Sequence, residues 1–144
     1  MSLRVEKIFD TSVFEEAVKI RELVFVIEQK VSKADEYDQF EESSTHFLAR
    51  LDGKPVGTAR WRFTENGIKL ERFAVLKEAR GKGVGKALVE AVLKDISLDT
   101  NSNGKVKYLH AQLDAIPLYS KFGFKKVGEM FEECRIQHFK MQLA

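Results

Sequence analysis

The chain has 144 residues, with 24 Lys and Arg against 22 Asp and Glu, for a formal charge of +2. That is the length of one domain spanning 1–144, and a 44% hydrophobic content with 11 Phe supplies a core, which excludes a disordered chain. So balanced a charge offers no polybasic grip on nucleic acid and no anchor for an anionic membrane; the lone cysteine, Cys134, excludes a disulfide framework, a CxxC redox pair and a Cys-based zinc cluster.

The longest apolar run, Leu23-Val24-Phe25-Val26-Ile27, is far short of the about 20 residues that cross a bilayer. Met1 to Lys7 lacks the apolar stretch of a secretion signal. A reducing, cytoplasmic setting is therefore expected. There is no internal repeat, and the loop clusters are Lys30 to Glu42, Asp52-Gly53, Asn66-Gly67 and Asp99 to Gly104.

In chain order, Val5 to Phe9 reads as a strand. Asp10, Thr11 or Ser12 then caps a helix whose Phe14, Ala17, Val18, Leu23 and Val24 recur near a 3.6-residue period. Ser32 to Glu42 is acidic and reads as loop or broken helix. From His46, short β-type runs separated by turn dipeptides, His46 to Leu51, Pro55 to Thr64 and Ile68 to Val75, predict an antiparallel meander. Gly83 to Leu98 is the clearest helix, with Val84, Ala87, Leu88, Ala91, Val92 and Ile96 on one stripe. Val106 to Gln112 reads as a strand, Ala115 to Phe122 as a short helix, and Val127 to Phe131 with Ile136 to Leu143 as a closing hairpin.

The most informative stretch is the strand Leu70 to Val75, a short link, then Arg80-Gly81-Lys82-Gly83-Val84-Gly85-Lys86 opening the best helix. Glycines at alternate positions let backbone N–H groups approach a ligand, and the helix N-terminus offers unpaired donors and a positive dipole end. Phosphates suit such a site, and Arg80, Lys82 and Lys86 add charge. A Walker loop fails twice, because Arg80 stands where its first Gly belongs and Ala87 where its Mg²⁺-binding hydroxyl belongs. A dinucleotide fingerprint fails because the third glycine comes one residue early and no βαβ unit precedes it.

Arg80-x-x-Gly83-x-Gly85 after a strand ending Phe73-Ala74-Val75 resembles the acyl-coenzyme A loop of the GNAT superfamily of N-acetyltransferases, whose signature is Gln/Arg-x-x-Gly-x-Gly/Ala. Ala115-Ile116-Pro117-Leu118-Tyr119-Ser120-Lys121-Phe122-Gly123-Phe124 is similar to that family's downstream element, a short helix carrying a Tyr and ending at Gly-Phe. Phe25-Val26-Ile27-Glu28-Gln29 resembles a segment of a small bacterial subgroup. The resemblance implies an α/β fold with a mixed, mostly antiparallel central sheet flanked by helices on both faces, splayed where the coenzyme enters. It implies acetyl transfer from acetyl-coenzyme A to a primary amine, a small molecule or a protein amine, by direct attack and without a metal. A homodimer is compatible with it.

By the same resemblance, main-chain groups of Phe73, Ala74 and Val75 pair with the pantetheine arm, and Arg80, Gly81, Lys82, Gly83, Val84, Gly85 and Lys86 wrap the pyrophosphate. The N–H near Val75 polarises the thioester carbonyl. Tyr119 is the implied general acid toward the departing thiolate. An Asn common about one helical turn before that Tyr has no counterpart here. A second reading is a non-catalytic acyl-coenzyme A-binding or regulatory module on the same fold.

An amine acceptor with a pKa of about 10.4 must lose a proton before it attacks. The candidate bases are Glu71, His110 and Glu28, or an ordered water. Strict alternation along Ile68 to Val75 puts Leu70, Arg72 and Ala74 on one face and Lys69, Glu71, Phe73 and Val75 on the other. The acidic run Asp35 to Glu42 either attracts a cationic amine such as a polyamine or is a solvated loop. No spacing joins His46, His110 and His138 into a metal site, and Cys134 has no basic neighbour at nucleophile spacing, so it reads as structural.

Overall fold

Between Thr45 and Val75 the alternating pattern folds into three antiparallel strands, β2 (Thr45–Leu51), β3 (Lys54–Thr64) and β4 (Gly67–Val75). They join β1 (Leu3–Lys7), β5 (Lys107–Gln112), β6 (Lys125–Glu133) and β7 (Ile136–Leu143). A computed structural model, which describes residues 2–143, places all seven in one sheet of order β1-β2-β3-β4-β5-β7-β6. Each neighbouring pair is antiparallel except β4 and β5. The expected α/β fold and mixed sheet are therefore observed.

Helix α3 (Val84–Leu98) covers one face. Its Val84, Leu88, Val89, Val92 and Ile96 pack on Phe47, Ala49, Ala59, Trp61, Ile68 and Leu70. Each such side chain, once buried, contributes about 1.5–3 kcal/mol of transfer free energy. Gly57 sets how closely the helix sits: a Cβ there would lie 2.8 Å from Val84 Cγ1 and 3.2 Å from the Ala74 carbonyl oxygen. Any larger residue would push the start of α3 off the sheet.

The opposite face is covered by α1 (Thr11–Arg21), capped by the Asp10 carboxylate on the Val13 N–H. From Glu22 to Glu28 this helix continues in π form, with Gln29 N–H donating to Val24 O at 3.0 Å. Ala17, Ile20 and Val24, spaced as one face of a regular helix, pack on Leu48 and Ala74, while Leu23, expected on the apolar stripe, lies off that face at 45% exposure. After α2 (Lys33–Glu36) the chain enters β2, and α4 (Ile116–Ser120) follows β5. No helix among the described residues is long and apolar enough to cross a membrane.

Candidate active site

Strands β4 and β5 run parallel but pair only at Ile68 with Lys107 and Lys69 with Tyr108. Beyond those pairs the two strands diverge, so the β4 edge from Leu70 to Val75 has no strand partner on that side. A bulge reshapes the same stretch. Opposite β3 the register slips between Thr58 and Arg60, and Arg72 adopts φ +57°. The extra residue breaks the alternation expected for this strand. Phe73 comes onto the α3 face with Leu70, whereas Ala74 turns to the α1 face, and the face assignment made by strict alternation fails from Arg72 onward.

The link after β4 delivers the glycine-rich loop to the same end of the sheet. Gly81 and Gly83 have φ of +78° and +82°, with no atom within 4 Å of a Cβ added at either. Their left-handed conformation leaves a clear approach to the backbone. Gly83 is the N-cap of α3 and supplies no side-chain cap, so the first N–H groups of a fifteen-residue helix stay open to an anion. Lys82 and Lys86 are exposed and have no ion-pair partner among the described residues. Arg80 differs from the expectation. It is held bidentate by Glu28 at 2.7 Å and donates to the Val75 carbonyl at 3.1 Å, so its charge is directed away from the loop. That pairing keeps the Glu28 carboxyl below its usual range. Glu28 does not line the cavity and is a poor candidate for a base.

Between the diverging strands lies a cavity of about 360 Å³, lined among others by Leu70, Glu71, Phe73, His110, Gln112 and Tyr119. The Tyr119 ring is wedged edge-on between Phe73, centroids 5.7 Å apart, and Phe124 at 6.2 Å. Burial, reinforced by the Asp114 carboxylate, pushes its phenol pKa up, so the group stays protonated and able to donate. His110 approaches from β5 with Nδ1 3.0 Å from Glu133 Oε2. Glu133, at the end of β6, is held down to about 2, chiefly by its hydrogen bond to His110. A carboxylate on Nδ1 fixes the ring and leaves Nε2 for another partner. Gln112 and Gln29 exchange amide hydrogen bonds at 2.9 and 3.4 Å, tying the end of the π segment to β5 across the cavity.

These features find a match in known proteins. The sequence model of the acetyltransferase (GNAT) domain matches residues 15–144. The chain belongs to the GNAT acetyltransferase family. YjcF, an uncharacterized N-acetyltransferase of Bacillus subtilis, is 39% identical over 127 residues, covering 88% of this chain and 89% of its own. An acyl-CoA N-acyltransferase from Pseudomonas aeruginosa superposes with a TM-score of 0.85 at 26% identity, covering 99% and 100% of the two chains. ElaA of Escherichia coli shares the fold, with a TM-score of 0.86 at 24% identity over 99% and 100%.

In this GNAT chain three acids of the acidic segment, Glu36, Asp38 and Glu41, are paired with arginines, while Asp35 and Glu42 are exposed. Glu36 binds Arg21 at 2.7 Å, with both side chains 1% exposed, and Glu41 binds Arg21 at 2.6 Å. Asp38 binds Arg60 at 2.6 Å, and Arg72 reaches Asp38 at 3.2 Å. Glu71 belongs to the same network, 2.6 Å from Arg60, 2.7 Å from Arg62 and 3.4 Å from Lys69. Burial alone would raise its pKa, but Arg60 and Arg62 hold it below the usual range. Glu71 thus reaches the cavity as a fully paired anion, a weak proton acceptor.

Sequence reasoning missed Glu133, which no local pattern marks, and the pairing of Gln29 with Gln112; they act across 23 and 83 residues of chain. It also missed the bulge, since Arg72 is not a residue type that advertises a left-handed backbone. Cys134 sits at the β6–β7 turn beside the cavity, its thiol pKa raised by burial and by Asp35 and Glu133. His46 Nε2–H donates to the Glu41 carbonyl at 2.7 Å and lies outside the cavity lining. Among the described residues no group of His, Cys, Asp and Glu is arranged to hold a metal ion.

Proposed function

We propose that the protein transfers an acetyl group from acetyl-coenzyme A directly to a primary amine. The observation that carries this reading is that one cavity at the splay of β4 and β5 is reached by both Tyr119 and His110, beside a glycine-rich loop and an uncapped helix N-terminus. The fit to the donor rests on the open backbone at Gly81 and Gly83 and on the unpaired β4 edge at Phe73 to Val75, where an amide-rich arm can add as a strand. Lys82 and Lys86 supply charge for the phosphates.

In this scheme Nε2 of His110 takes a proton from the ammonium of the acceptor, directly or through water, and Glu133 stabilises the imidazolium. The neutral nitrogen attacks the thioester carbon. As the tetrahedral intermediate collapses the C–S bond breaks, the departing sulfur takes the Tyr119 hydroxyl proton, and the extra proton on the acylated nitrogen passes through water to the Tyr119 oxygen, leaving the neutral amide. Glu71 is assigned a structural role because its charge is already shared among three cations. Direct attack fits a cavity in which burial and the neighbouring Asp35 and Glu133 carboxylates raise the pKa of the thiol, Cys134, and disfavour its thiolate.

Tyr119→Phe tests the scheme. Acetyl-coenzyme A affinity, measured calorimetrically, should be unchanged, while thiol release in the presence of an accepted amine should fall about 10²–10⁴-fold. Full turnover in that variant would remove Tyr119 from the chemistry.

A further inference from the structure

The sheet face that carries His110 also carries a row of cations that the scheme above leaves unused. Register places them: Arg62 pairs with Lys69 across β3 and β4, Lys69 with Tyr108 across β4 and β5, and His110 with Lys140 across β5 and β7. Their strand neighbours Trp61, Ile68, Leu70, Leu109 and Met141 face α3 in the core, so Arg62, Lys69, Tyr108, His110 and Lys140 share the opposite face. A shallow cavity lined by Arg62, Lys69, Tyr108, His110 and Lys140 meets the main one at Arg62, Lys69 and His110.

Countercharge is short at the Lys140 end of this row. Glu71 already serves Arg60 and Arg62 and lies 3.4 Å from Lys69; Glu133 is hydrogen-bonded to His110 and is also drawn on by Lys69. Lys140 has no carboxylate within ion-pair distance among the described residues, and its ammonium rests 5.2 Å over the Tyr108 ring. Glu65, also in the lining, is exposed and pairs with none of them. Lys69 on β4 and Lys140 on β7 flank β5 on the same face of the sheet, so an anion seated over β5 between them is attracted by both.

We infer that the acceptor is a primary amine carrying an anionic oxygen group, a carboxylate in the first instance, which seats between Lys69 and Lys140 while its amine reaches His110. The assignment rests on the acyl-transfer reading and narrows it. A polyamine is disfavoured, because its second ammonium would meet Lys140.

The test is thiol release from acetyl-coenzyme A with matched acceptors: β-alanine against β-alaninamide, glutamate against glutamine, 2-aminoethyl phosphate against ethanolamine, and putrescine. NMR titration of the same compounds accompanies it. The wild type should prefer the anionic member of a pair by about tenfold or more in kcat/KM. Lys140→Gln should reduce that ratio by about tenfold, through KM, and Lys140→Glu should invert it. Preference for the phosphate pair over the carboxylate pairs would identify phosphate as the anion. Equal use of amides, or use of putrescine, overturns the inference and leaves acyl transfer standing. So does a preference that survives Lys140→Gln and Lys69→Gln, and so does the absence of both binding and turnover for every anionic amine. Failure to bind acetyl-coenzyme A would instead remove the acyl-transfer reading itself.

Discussion

The glycine-rich loop at 80–86 and the acidic segment at 35–42 are both dense in chemistry-bearing residues, yet the structure uses them in opposite ways. In the loop, Gly81, Lys82, Gly83 and Lys86 point their functional capacity outward, as open N–H groups and exposed ammonium groups. In the acidic segment, Glu36, Asp38 and Glu41 turn inward onto Arg21, Arg60 and Arg72. Their charges fasten α2 and its following turn to the sheet beneath the cavity. A charged run therefore says little about function until its partners are known. A glycine run that opens a helix says a good deal, because its consequence is confined to its own backbone.

The sharpest way to break this comparison is to remove Arg60, which is completely buried. Arg60→Met leaves Asp38, Glu41 and Glu71 without their shared cation and should cost about 3–5 kcal/mol in denaturant unfolding. Burial opposes the charge on Asp38, but its hydrogen bonds from Arg60 hold the carboxyl at about 2. A depressed pKa stabilises the fold above the usual 3.8, and that contribution disappears as pH falls through about 2. The wild-type midpoint should drop across this window, and the variant should show a shallower slope. An unchanged midpoint in Arg60→Met would mean that the inward-facing charges hold nothing together.

Charge reversal in the loop should have the complementary effect. Lys82→Glu combined with Lys86→Glu should weaken acetyl-coenzyme A binding by about ten- to a hundredfold in calorimetry, while the unfolding free energy moves by no more than about 0.5 kcal/mol. Loss of stability without loss of affinity would reverse the roles argued for the two regions. The smallest effect belongs to the contact of the loop with the end of the π segment. Glu28→Gln frees Arg80 from an exposed ion pair, and affinity for acetyl-coenzyme A should rise about two- to threefold. A decrease would show that Arg80 acts by bracing Glu28 and not by meeting the ligand.

Much of the fold follows from local rules. Turn dipeptides at Asp52-Gly53 and Asn66-Gly67 bound the meander, and the stripe from Val84 to Ile96 gives the helix that covers it. Leu23 escaped prediction because it lies about 120° round the helix from Ala17, off the face that Ala17, Ile20 and Val24 present to the sheet. The site divides in the same way. The loop at 80–86 and the Tyr119 helix ending at Gly123-Phe124 lie within continuous segments, so their geometry is written in neighbouring residues.

By itself, the sequence determined the α/β class, the strand, loop and helix that suit a pyrophosphate, and the position of Tyr119 before its Gly-Phe corner, since each depends on interactions within a few residues. Only the tertiary structure decided which acids are structural, which histidine has a carboxylate behind it, and where β4 bulges. Glu71 and Glu133 are both carboxylates on strands. One is surrounded by Arg60, Arg62 and Lys69 and the other faces His110, because register across the sheet, a property of the whole fold, chooses the neighbours of every side chain.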